Sequence, residues 1–407
     1  MSTQTLAAQL RTNREFALFW LAQVISRLGD PITLIVLAYV AYVRTGSALL
    51  TAVAVLITTM PSALFGLMGG VIADALGYRR AMVACDVVRA ALIGVLPILI
   101  ALDLPIWVLY VVAFTSALAG AVFNPARFAI VPSVLPLEHL REGNALLVST
   151  DRTIEILGAL AAGALVITVG ASAFYVDAAT FAVSALLLLQ LKQDDPGVPL
   201  PISKLVAGAA EGIKFIRGSL VLFANTIFSI FAQLSLPVAN SLTPVLLVRR
   251  YAGGNAEVGA AQFAIAEASL ALGALVGSLV VQPLTGRIRK GRMLILGFGT
   301  YGLMLVLLSL VSRIDLALLV FAGMGVANVA FYVPNVTAAQ ELSPAKLRGR
   351  VIGARIALVN LSWLPVIALA GSLADIYPVA FLFAFAGLFT VLVALVGAFI
   401  PVVRDLT

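Results

Sequence analysis

The stretch Gly70-Val-Ile-Ala-Asp74-Ala-Leu-Gly77-Tyr-Arg79-Arg80 joins two long apolar segments of the chain. Charged side chains are costly at the edge of a membrane-embedded helix, so a carboxylate and two arginines at this point indicate that the charges are used. The glycines that bound the turn permit a tight reversal of the backbone. The stretch therefore predicts a functional loop between two membrane-spanning helices.

The composition of the whole chain agrees with this prediction. A chain of 407 residues that is 62% hydrophobic and 11% charged has too little polar surface to fold as a soluble protein. Apolar runs of about 17 to 25 residues are long enough to cross a bilayer as a helix. The chain is therefore predicted to be an all-α membrane protein with 12 transmembrane helices, near 16–42, 48–74, 80–101, 105–126, 144–169, 172–191, 219–247, 257–284, 292–311, 315–338, 350–373 and 378–402.

The distribution of basic residues predicts the orientation. Of the 26 Lys and Arg, 17 fall in predicted loops on the side of the two termini, and only Arg44, Arg249, Arg250 and Arg313 fall opposite. Because cytoplasmic loops carry the excess of basic residues, both termini are expected in the cytoplasm, and the protein is expected to be multi-pass in the cytoplasmic (inner) membrane. The pI near 9.7 then reflects these loops, and no nucleic-acid partner is expected.

Several classes of chemistry find no support in the sequence. With one cysteine, Cys85, and one histidine, His139, the chain lacks the ligands of a typical zinc or haem site, so no metal and no cofactor are expected. Neither a phosphate-binding loop nor a nucleophile–base set is evident, so we expect no enzyme. Gly297-Phe-Gly-Thr-Tyr-Gly302 matches a dinucleotide-binding pattern, but no strand precedes it. Its glycines are expected to allow close helix packing.

The chain divides into two similar halves. Residues 192–218 form the longest polar connection, which we interpret as a cytoplasmic linker between six-helix bundles at 1–191 and 219–407. Phe123-Asn-Pro125 near the end of span four has a counterpart in Phe331-Tyr-Val-Pro334 near the end of span ten. Two pseudo-symmetric bundles around a central site are the architecture of rocking-type alternating access.

The loop stretch resembles a signature of the major facilitator superfamily, G-x-x-x-D-[RK]-x-G-R-[RK], which follows the second helix of that family. Gly70, Asp74, Gly77 and Arg79 occupy the positions of the signature, whereas Ala75 and Tyr78 replace basic residues.

Further stretches resemble the drug:proton antiporter subgroup that includes the enterobactin exporter and the macrolide efflux proteins. They are Ser26-Arg-Leu-Gly29-Asp30, Cys85-Asp86-Val-Val-Arg89, Phe123-Asn-Pro-Ala-Arg127, Leu140-Arg-Glu-Gly-Asn144, Asp177-Ala-Ala-Thr-Phe181 and Leu347-Arg-Gly-Arg350-Val-Ile-Gly353. The resemblance implies export coupled to proton entry. The glycine–proline signature of many antiporters in span five is replaced by Gly158-Ala-Leu-Ala-Ala-Gly163, without the proline. This departure weakens the expectation of strict antiport but not the expectation of export.

The resemblance also implies a conformational latch around Asp74, which in the family lies near the start of span eleven. A helix N-terminus stabilises a carboxylate by roughly 0.3 to 2 kcal/mol. Gly70 permits close approach, and Gly77 bounds the turn. Arg79, Arg80 and Arg127 would complete the charge cluster. The alternative is that Asp74 caps a helix and that the arginines set only the topology.

Two carboxylates are candidates for proton coupling. Gln23, Arg27 and Asp30 share one face of span one. If Arg27 remains bonded to Asp30, the carboxylate is structural; if the two separate, desolvation allows it to carry a proton. Glu267, within span eight and without a basic residue on the same helix, is the second candidate.

Other polar residues within the spans receive structural or substrate-binding roles. Asp86 with Arg89, and Arg152 with Glu155, are spaced as self-neutralising pairs on one helix, and Asp177, five residues into span six, can reach the headgroups. The candidates for the substrate cavity are Gln23, Arg27, Asn225, Gln233, Asn328, Tyr332, Asn360 and Trp363.

These features together predict a secondary active transporter that exports a small drug-like or amphipathic molecule. A dedicated exporter of a siderophore or lysophospholipid is the alternative, followed by an uptake symporter. A membrane enzyme and a sensor are disfavoured, because neither a catalytic set nor a signalling domain is evident. The expected partners are the small-molecule substrate, protons and the lipid bilayer, and the protein is expected to be a monomer.

Overall fold

The computed structural model describes residues 13–136, 139–192, 202–281, 284, 287–344 and 347–406. The longer helices, numbered in chain order, are α1 (Arg14–Thr45), α2 (Ala48–Leu76), α3 (Tyr78–Ala101), α4 (Ile106–Ala129), α5 (Leu140–Val169), α6 (Ala173–Leu189), α7 (Ile202–Gly218), α8 (Leu220–Ala232), α9 (Ser235–Leu246), α10 (Ala256–Val281), α11 (Lys290–Leu310), α12 (Ile314–Glu341), α13 (Arg348–Ala374) and α14 (Val379–Phe399). Short helical turns lie at Val131–Val134, Gly170–Ser172, Leu247–Tyr251 and Pro401–Arg404.

The described residues contain eleven stretches that are long and apolar enough to cross a membrane, one fewer than the twelve predicted. The difference lies at residues 149–189, which form a single 41-residue stretch where two spans, 144–169 and 172–191, were predicted. The helix is interrupted there. Gly170 has a φ of 55°, which is readily available only to glycine, and it separates α5 from α6. The protein is an all-helical, multi-pass membrane protein.

The chain divides into two compact units. Unit 1 comprises residues 1–37 and 57–202, and unit 2 comprises residues 38–56 and 203–407. In unit 1, α3 packs against both α4 and α6. Gly77, with a φ of 83°, makes the turn from α2 to α3 that the loop stretch predicts. Buried Phe16, Phe19 and Phe123 belong to its apolar core.

Unit 2 depends on close contacts between helix backbones. A Cβ added at Gly302 of α11 would lie 2.7 Å from the carbonyl oxygen of Gly387 in α14, and one at Gly297 would lie 2.6 Å from the backbone nitrogen of Phe331 in α12. The ring of Phe331 stacks on that of Phe298, with 4.2 Å between their centroids. The helix-packing interpretation of Gly297–Gly302 is therefore confirmed.

The predicted linker contains a helix. Residues 202–218 form α7, in which the Glu211 carboxylate accepts a hydrogen bond from the Arg350 guanidinium at the start of α13. Residues 193–201 of the predicted linker lie outside the described residues. The bundle boundaries at 1–191 and 219–407 remain a prediction.

Candidate functional site

The interior of unit 1 contains charged side chains from five of its helices. They are Arg27 and Asp30 from α1, Asp86 and Arg89 from α3, Arg127 from α4, Asp151 from α5, and Asp177 from α6. In an apolar environment each charge requires a partner, since isolated buried ions cost several kcal/mol. The partners therefore indicate which of these groups are ionised.

Asp30, predicted to carry a proton, is bonded to two arginines. Arg27 Nη1 donates to Asp30 Oδ2 at 3.2 Å, and Arg89 Nη2 donates to Asp30 Oδ1. Only 29% of the Asp30 side chain is exposed. Of the two predictions for this residue, the geometry favours the fixed ionic partner over the proton carrier, because two cations stabilise the carboxylate.

Asp151, which no sequence pattern indicated, is the second anion of this network. Arg127 Nη2 donates to Asp151 Oδ2 at 2.6 Å, and Arg27 Nε lies 3.7 Å from Asp151 Oδ1. Arg127, predicted to join the latch, is 1% exposed and has this interior partner. Arg27 thus links the ion pairs of Asp30 and Asp151.

The pair predicted between Asp86 and Arg89 is not formed within the described residues. The guanidinium of Arg89 bonds Asp30 on α1 and lies 3.8 Å from the centroid of the Phe181 ring. Asp86 is fully buried and accepts a hydrogen bond from Ser26 Oγ at 3.4 Å, while its Oδ2 has no hydrogen-bond partner. The spacing of three residues permits a pair on one helix, but the closer carboxylate comes from α1.

Asp177, predicted to reach the headgroups, is instead fully buried inside the protein. The Thr33 hydroxyl hydrogen-bonds its Oδ2, and Thr180 Oγ1 lies 3.4 Å from its Oδ1. A Cβ added at Gly29 of α1 would overlap both Asp177 Oδ1 and Thr180 Oγ1. The glycine is therefore what allows α1 to approach α6 at this carboxyl group.

The remaining charged candidates have less defined roles. Glu155 is exposed, and the side chain of its predicted partner Arg152 lies outside what the structure describes. Glu267 is half-buried in α10 and interacts electrostatically with Tyr301 of α11. Gln23 is 2% exposed, and neither atom of its amide has a hydrogen-bond partner.

The residues predicted to form the latch have separate positions in unit 1. Asp74 is half-buried near the end of α2. Arg79 donates to the carbonyl oxygens of Leu188 at 3.2 Å and Leu189 at 2.5 Å, where a cation is favourable at the C-terminus of α6. Arg80 is exposed, and Gly70 is half-buried.

Unit 2 contains a buried arginine that was not among the predicted site residues. Arg355 of α13 is 6% exposed. Its Nη1 donates to the carbonyl oxygen of Asn335 at 2.9 Å, and its Nη2 to Ser229 Oγ at 2.8 Å and to the side-chain oxygens of Asn225 and Asn335. The cavity candidate Asn225 is thus bound to a cation of its own unit. The only sequence signal was an arginine inside a predicted span.

The other cavity candidates differ in exposure. Gln233, Asn328, Asn360 and Trp363 are half-buried, and the Trp363 Nε1 has no hydrogen-bond partner. Tyr332 is 56% exposed.

A further charged group lies just beyond the spans of unit 2. Asp375 accepts hydrogen bonds from the backbone nitrogen of Ala48 at 2.7 Å and from Ser47 Oγ at 2.9 Å, at the N-terminus of α2, and Arg249 lies 3.5 Å away. Burial opposes ionisation of Asp375, but these donors and Arg249 outweigh it and hold its pKa below the ordinary value.

Among the described residues no group of three or more His, Cys, Asp or Glu side chains is arranged to hold a metal ion.

Known proteins resemble this chain over most of its length. The Major Facilitator Superfamily profile matches residues 19–364. The multidrug efflux pump Tap of Mycolicibacterium fortuitum is 26% identical over 394 residues, covering 93% of each chain. Macrolide efflux protein A of Streptococcus pyogenes is 25% identical over 403 residues, covering 96% of this chain and 97% of that protein.

Solved structures share the fold at lower identity. A crystal structure of the peptide transporter POT in complex with sulfate has a TM-score of 0.75 at 14% identity and covers 97% of this chain and 96% of the transporter. A mutant of the nucleoside transporter NupG has a TM-score of 0.73 at 14% identity, covering 94% of this chain and 98% of that chain. The predicted resemblance is confirmed, and the chain belongs to the major facilitator superfamily, a family of transporters and not of enzymes.

Proposed function

We propose that this protein exports a small drug-like or amphipathic molecule across the cytoplasmic membrane, coupled to proton entry, by rocking-type alternating access. The observation that carries the proposal is the full-length similarity to two efflux proteins, Tap and macrolide efflux protein A. Similarity of this extent covers both halves of the chain and not one motif alone.

The chemistry of the two units supports the same proposal. Unit 1 contains buried carboxyl groups, which are the groups that take up and release protons in transporters. Unit 2 offers half-buried amides and an indole, Gln233, Asn328, Asn360 and Trp363, among mainly aliphatic and aromatic residues. Few hydrogen-bonding groups among many apolar side chains suit a substrate that is largely apolar and forms few hydrogen bonds.

The alternatives, export of a siderophore or a lysophospholipid and uptake by symport, predict different transport behaviour. A dedicated siderophore or lysophospholipid exporter would transport one molecule and reject unrelated apolar cations. An uptake symporter would accumulate substrate in the direction of proton entry. Both relatives named above are efflux proteins, and this similarity favours export of a drug over uptake.

Transport by the purified protein tests the proposal. Proteoliposomes would be loaded to contain an acidic lumen and supplied outside with a macrolide, a lipophilic cation, a lysophospholipid or a siderophore. Proton movement down its gradient should drive the macrolide or the cation into the lumen, and a protonophore should abolish the accumulation. Accumulation of the lysophospholipid alone would support the alternative, and accumulation only in the direction of proton flow would indicate symport.

We also propose the topology of twelve spans with both termini in the cytoplasm, acting as a monomer. Single cysteines in place of Lys204, Arg289 and Arg249, in a protein with Cys85→Ser, test it with an impermeant thiol reagent. The first two should react from the cytoplasm and the third only from outside. Reaction of Lys204→Cys and Arg249→Cys from the same side would rule out this topology.

The latch remains part of the proposal, on the strength of the loop signature. Gly70, Asp74, Gly77, Arg79, Arg80 and Arg127 are its proposed members, and their partners are expected to change during transport. Arg79 and Arg127 are the informative members, because each has a defined partner in unit 1 from which it would have to separate.

A further inference from the structure

Two buried carboxyl groups of unit 1, Asp86 and Asp177, form no salt bridge with a cation among the described residues, and the nearest cation, Arg89, is bonded to Asp30. Both are fully buried, and the groups hydrogen-bonded to them are hydroxyls: Ser26 for Asp86, and Thr33 and Thr180 for Asp177. One oxygen of Asp86 has no hydrogen-bond partner. An ionised carboxylate with such neighbours is costly, whereas a protonated carboxyl carries no net charge to desolvate.

The arginines of the network are already engaged. Among the described residues, Arg27, Arg89 and Arg127 contribute three positive charges to the ion pairs, and Asp30 and Asp151 contribute two negative charges. If Asp86 and Asp177 were both ionised, the interior would have one negative charge in excess. With one proton on either of them, the charges of the whole set cancel.

We propose that Asp86 and Asp177 form a proton-binding site in unit 1, which holds one proton between them while Asp30 and Asp151 remain ion-paired. As the coupling site of transport, this assignment rests on the proposed function. It transfers the coupling role from Asp30 and Glu267 to two residues that the sequence analysis treated as structural or interfacial.

The groups that face this site come from every helix that packs around it. Asp30, Ser26 and Thr33 lie on α1, where Arg27 bonds Asp30; Arg89 and the Cys85 thiol lie on α3, and the hydroxyls of Thr180 and Ser184 lie on α6. Arg127 of α4 and Asp151 of α5 connect to the site through Arg27.

Arg89 is the group able to couple these carboxyls to each other. It is bonded to Asp30 and interacts electrostatically with both Asp86 and Asp177. If Arg89 turned from Asp30 toward one of the two, that carboxyl would gain a cation and release its proton. Proton release would then require a rearrangement of one side chain and not the breaking of the whole network.

Infrared spectroscopy of the purified protein in lipid tests the site without relying on transport. At neutral pH the carbonyl band of a buried protonated carboxyl, recognised by its shift in deuterium oxide, should be present. Asp177→Asn and Asp86→Asn should each remove the equivalent of one such carboxyl, because the remaining three aspartates then balance the three arginines. Arg27→Gln should instead increase the band.

The control is Asp315→Asn, which removes an acid that is 57% exposed and bonded to Arg313 at 2.7 Å. It should leave the band unchanged. Size-exclusion profiles identify any variant that fails to fold, and two independent aspartate variants keep the test decisive if one is lost. An undiminished band in both Asp86→Asn and Asp177→Asn, or no band in the wild type, would overturn the site.

Transport measurements then separate the site from the proposed function. In the Asp177→Asn protein, gradient-driven accumulation should be lost, while exchange of substrate across the membrane without a gradient should continue. If the wild type transports without any dependence on the pH gradient, proton coupling fails as a function, whereas the infrared result still decides whether the two carboxyls bind a proton.

Discussion

The two units surround their buried arginines with partners of different chemistry. In unit 1, Arg89 is bonded to a carboxylate that it shares with Arg27, and two further carboxyls lie nearby. In unit 2, Arg355 is surrounded by neutral oxygens of Asn225, Ser229 and Asn335.

The difference determines what each unit can do when the pH changes. Carboxyl partners can gain or lose protons, so the net charge around Arg89 is variable. Amide and hydroxyl oxygens do not titrate near neutral pH, so the charge around Arg355 is fixed. We infer that Arg355 joins α8, α12 and α13 mechanically, whereas the interior of unit 1 is suited to proton exchange.

The largest expected effect is that of Arg89→Gln. Removing this cation strands buried acids, and breaking a buried ion pair in this way costs about 3–5 kcal/mol. Thermal and denaturant unfolding of the detergent-solubilised protein at neutral pH should show a loss of this size. Adding Asp30→Asn should recover most of it, and a double variant no more stable than Arg89→Gln would contradict the assigned pairing.

A smaller effect is expected for Arg355→Met. The substitution removes the guanidinium that donates to Asn225, Ser229 and Asn335 and leaves only the bond from Ser229 Oγ to Asn335 Oδ1, a loss that should cost about 1–3 kcal/mol. Neutralising an acid of unit 2, as in Glu267→Gln, should give no recovery, because no anion balances Arg355 among the described residues. If Glu267→Gln did restore stability in unfolding measurements, the contrast between the two arginines would be lost.

An acid outside the membrane completes the comparison, since its donors favour the ionised form. Asp375→Ala removes the acceptor at the N-terminus of α2 and should cost about 0.5–2 kcal/mol. The pKa of Asp375 is lowered from the ordinary value of 3.8, so its contribution is present above that value and is lost as the pH falls through the lowered pKa. Unfolding curves of the two proteins should therefore converge at acidic pH; a constant difference would refute the ionic origin.

The smallest effect on stability is expected for Asp74→Asn, under about 0.5 kcal/mol, as for substitutions away from buried networks. Its effect should appear in transport instead, as a slower turnover with folding intact, because the proposed latch would close less firmly. Turnover rates in proteoliposomes, compared at equal amounts of folded protein, measure this. Unchanged turnover would reduce Asp74 to an ordinary helix-terminal residue.

Helix positions and helix-packing glycines were predictable because they depend on local sequence. The apolar runs gave nearly every span, Gly77 marked the turn between α2 and α3, and Gly297 marked a close contact with α12. The boundary between α5 and α6 was also predicted. The α7 helix was not, because its polar surroundings resemble a connecting loop.

The partners of the charged residues were not predictable in the same way. Helical spacing shows which residues share a face, but it does not give the rotation of that face toward its neighbours. Asp86 and Arg89 therefore suggested a pair within α3, whereas Arg89 bonds Asp30 of α1. Asp177 appeared superficial along its own helix, and only the packing of α1 against α6 shows that it is buried.

The contact at Gly29 has a consequence for the proton permeability of the membrane that contains the protein. Any larger residue there would overlap Asp177 and Thr180, neither of which is long enough to swing aside, so α6 would be displaced from α1. The gap would admit water to a carboxyl that is otherwise sealed. Gly29→Ala should then be a proton leak: a pH gradient across proteoliposomes would decay without substrate, and a cell expressing it would lose energy continuously.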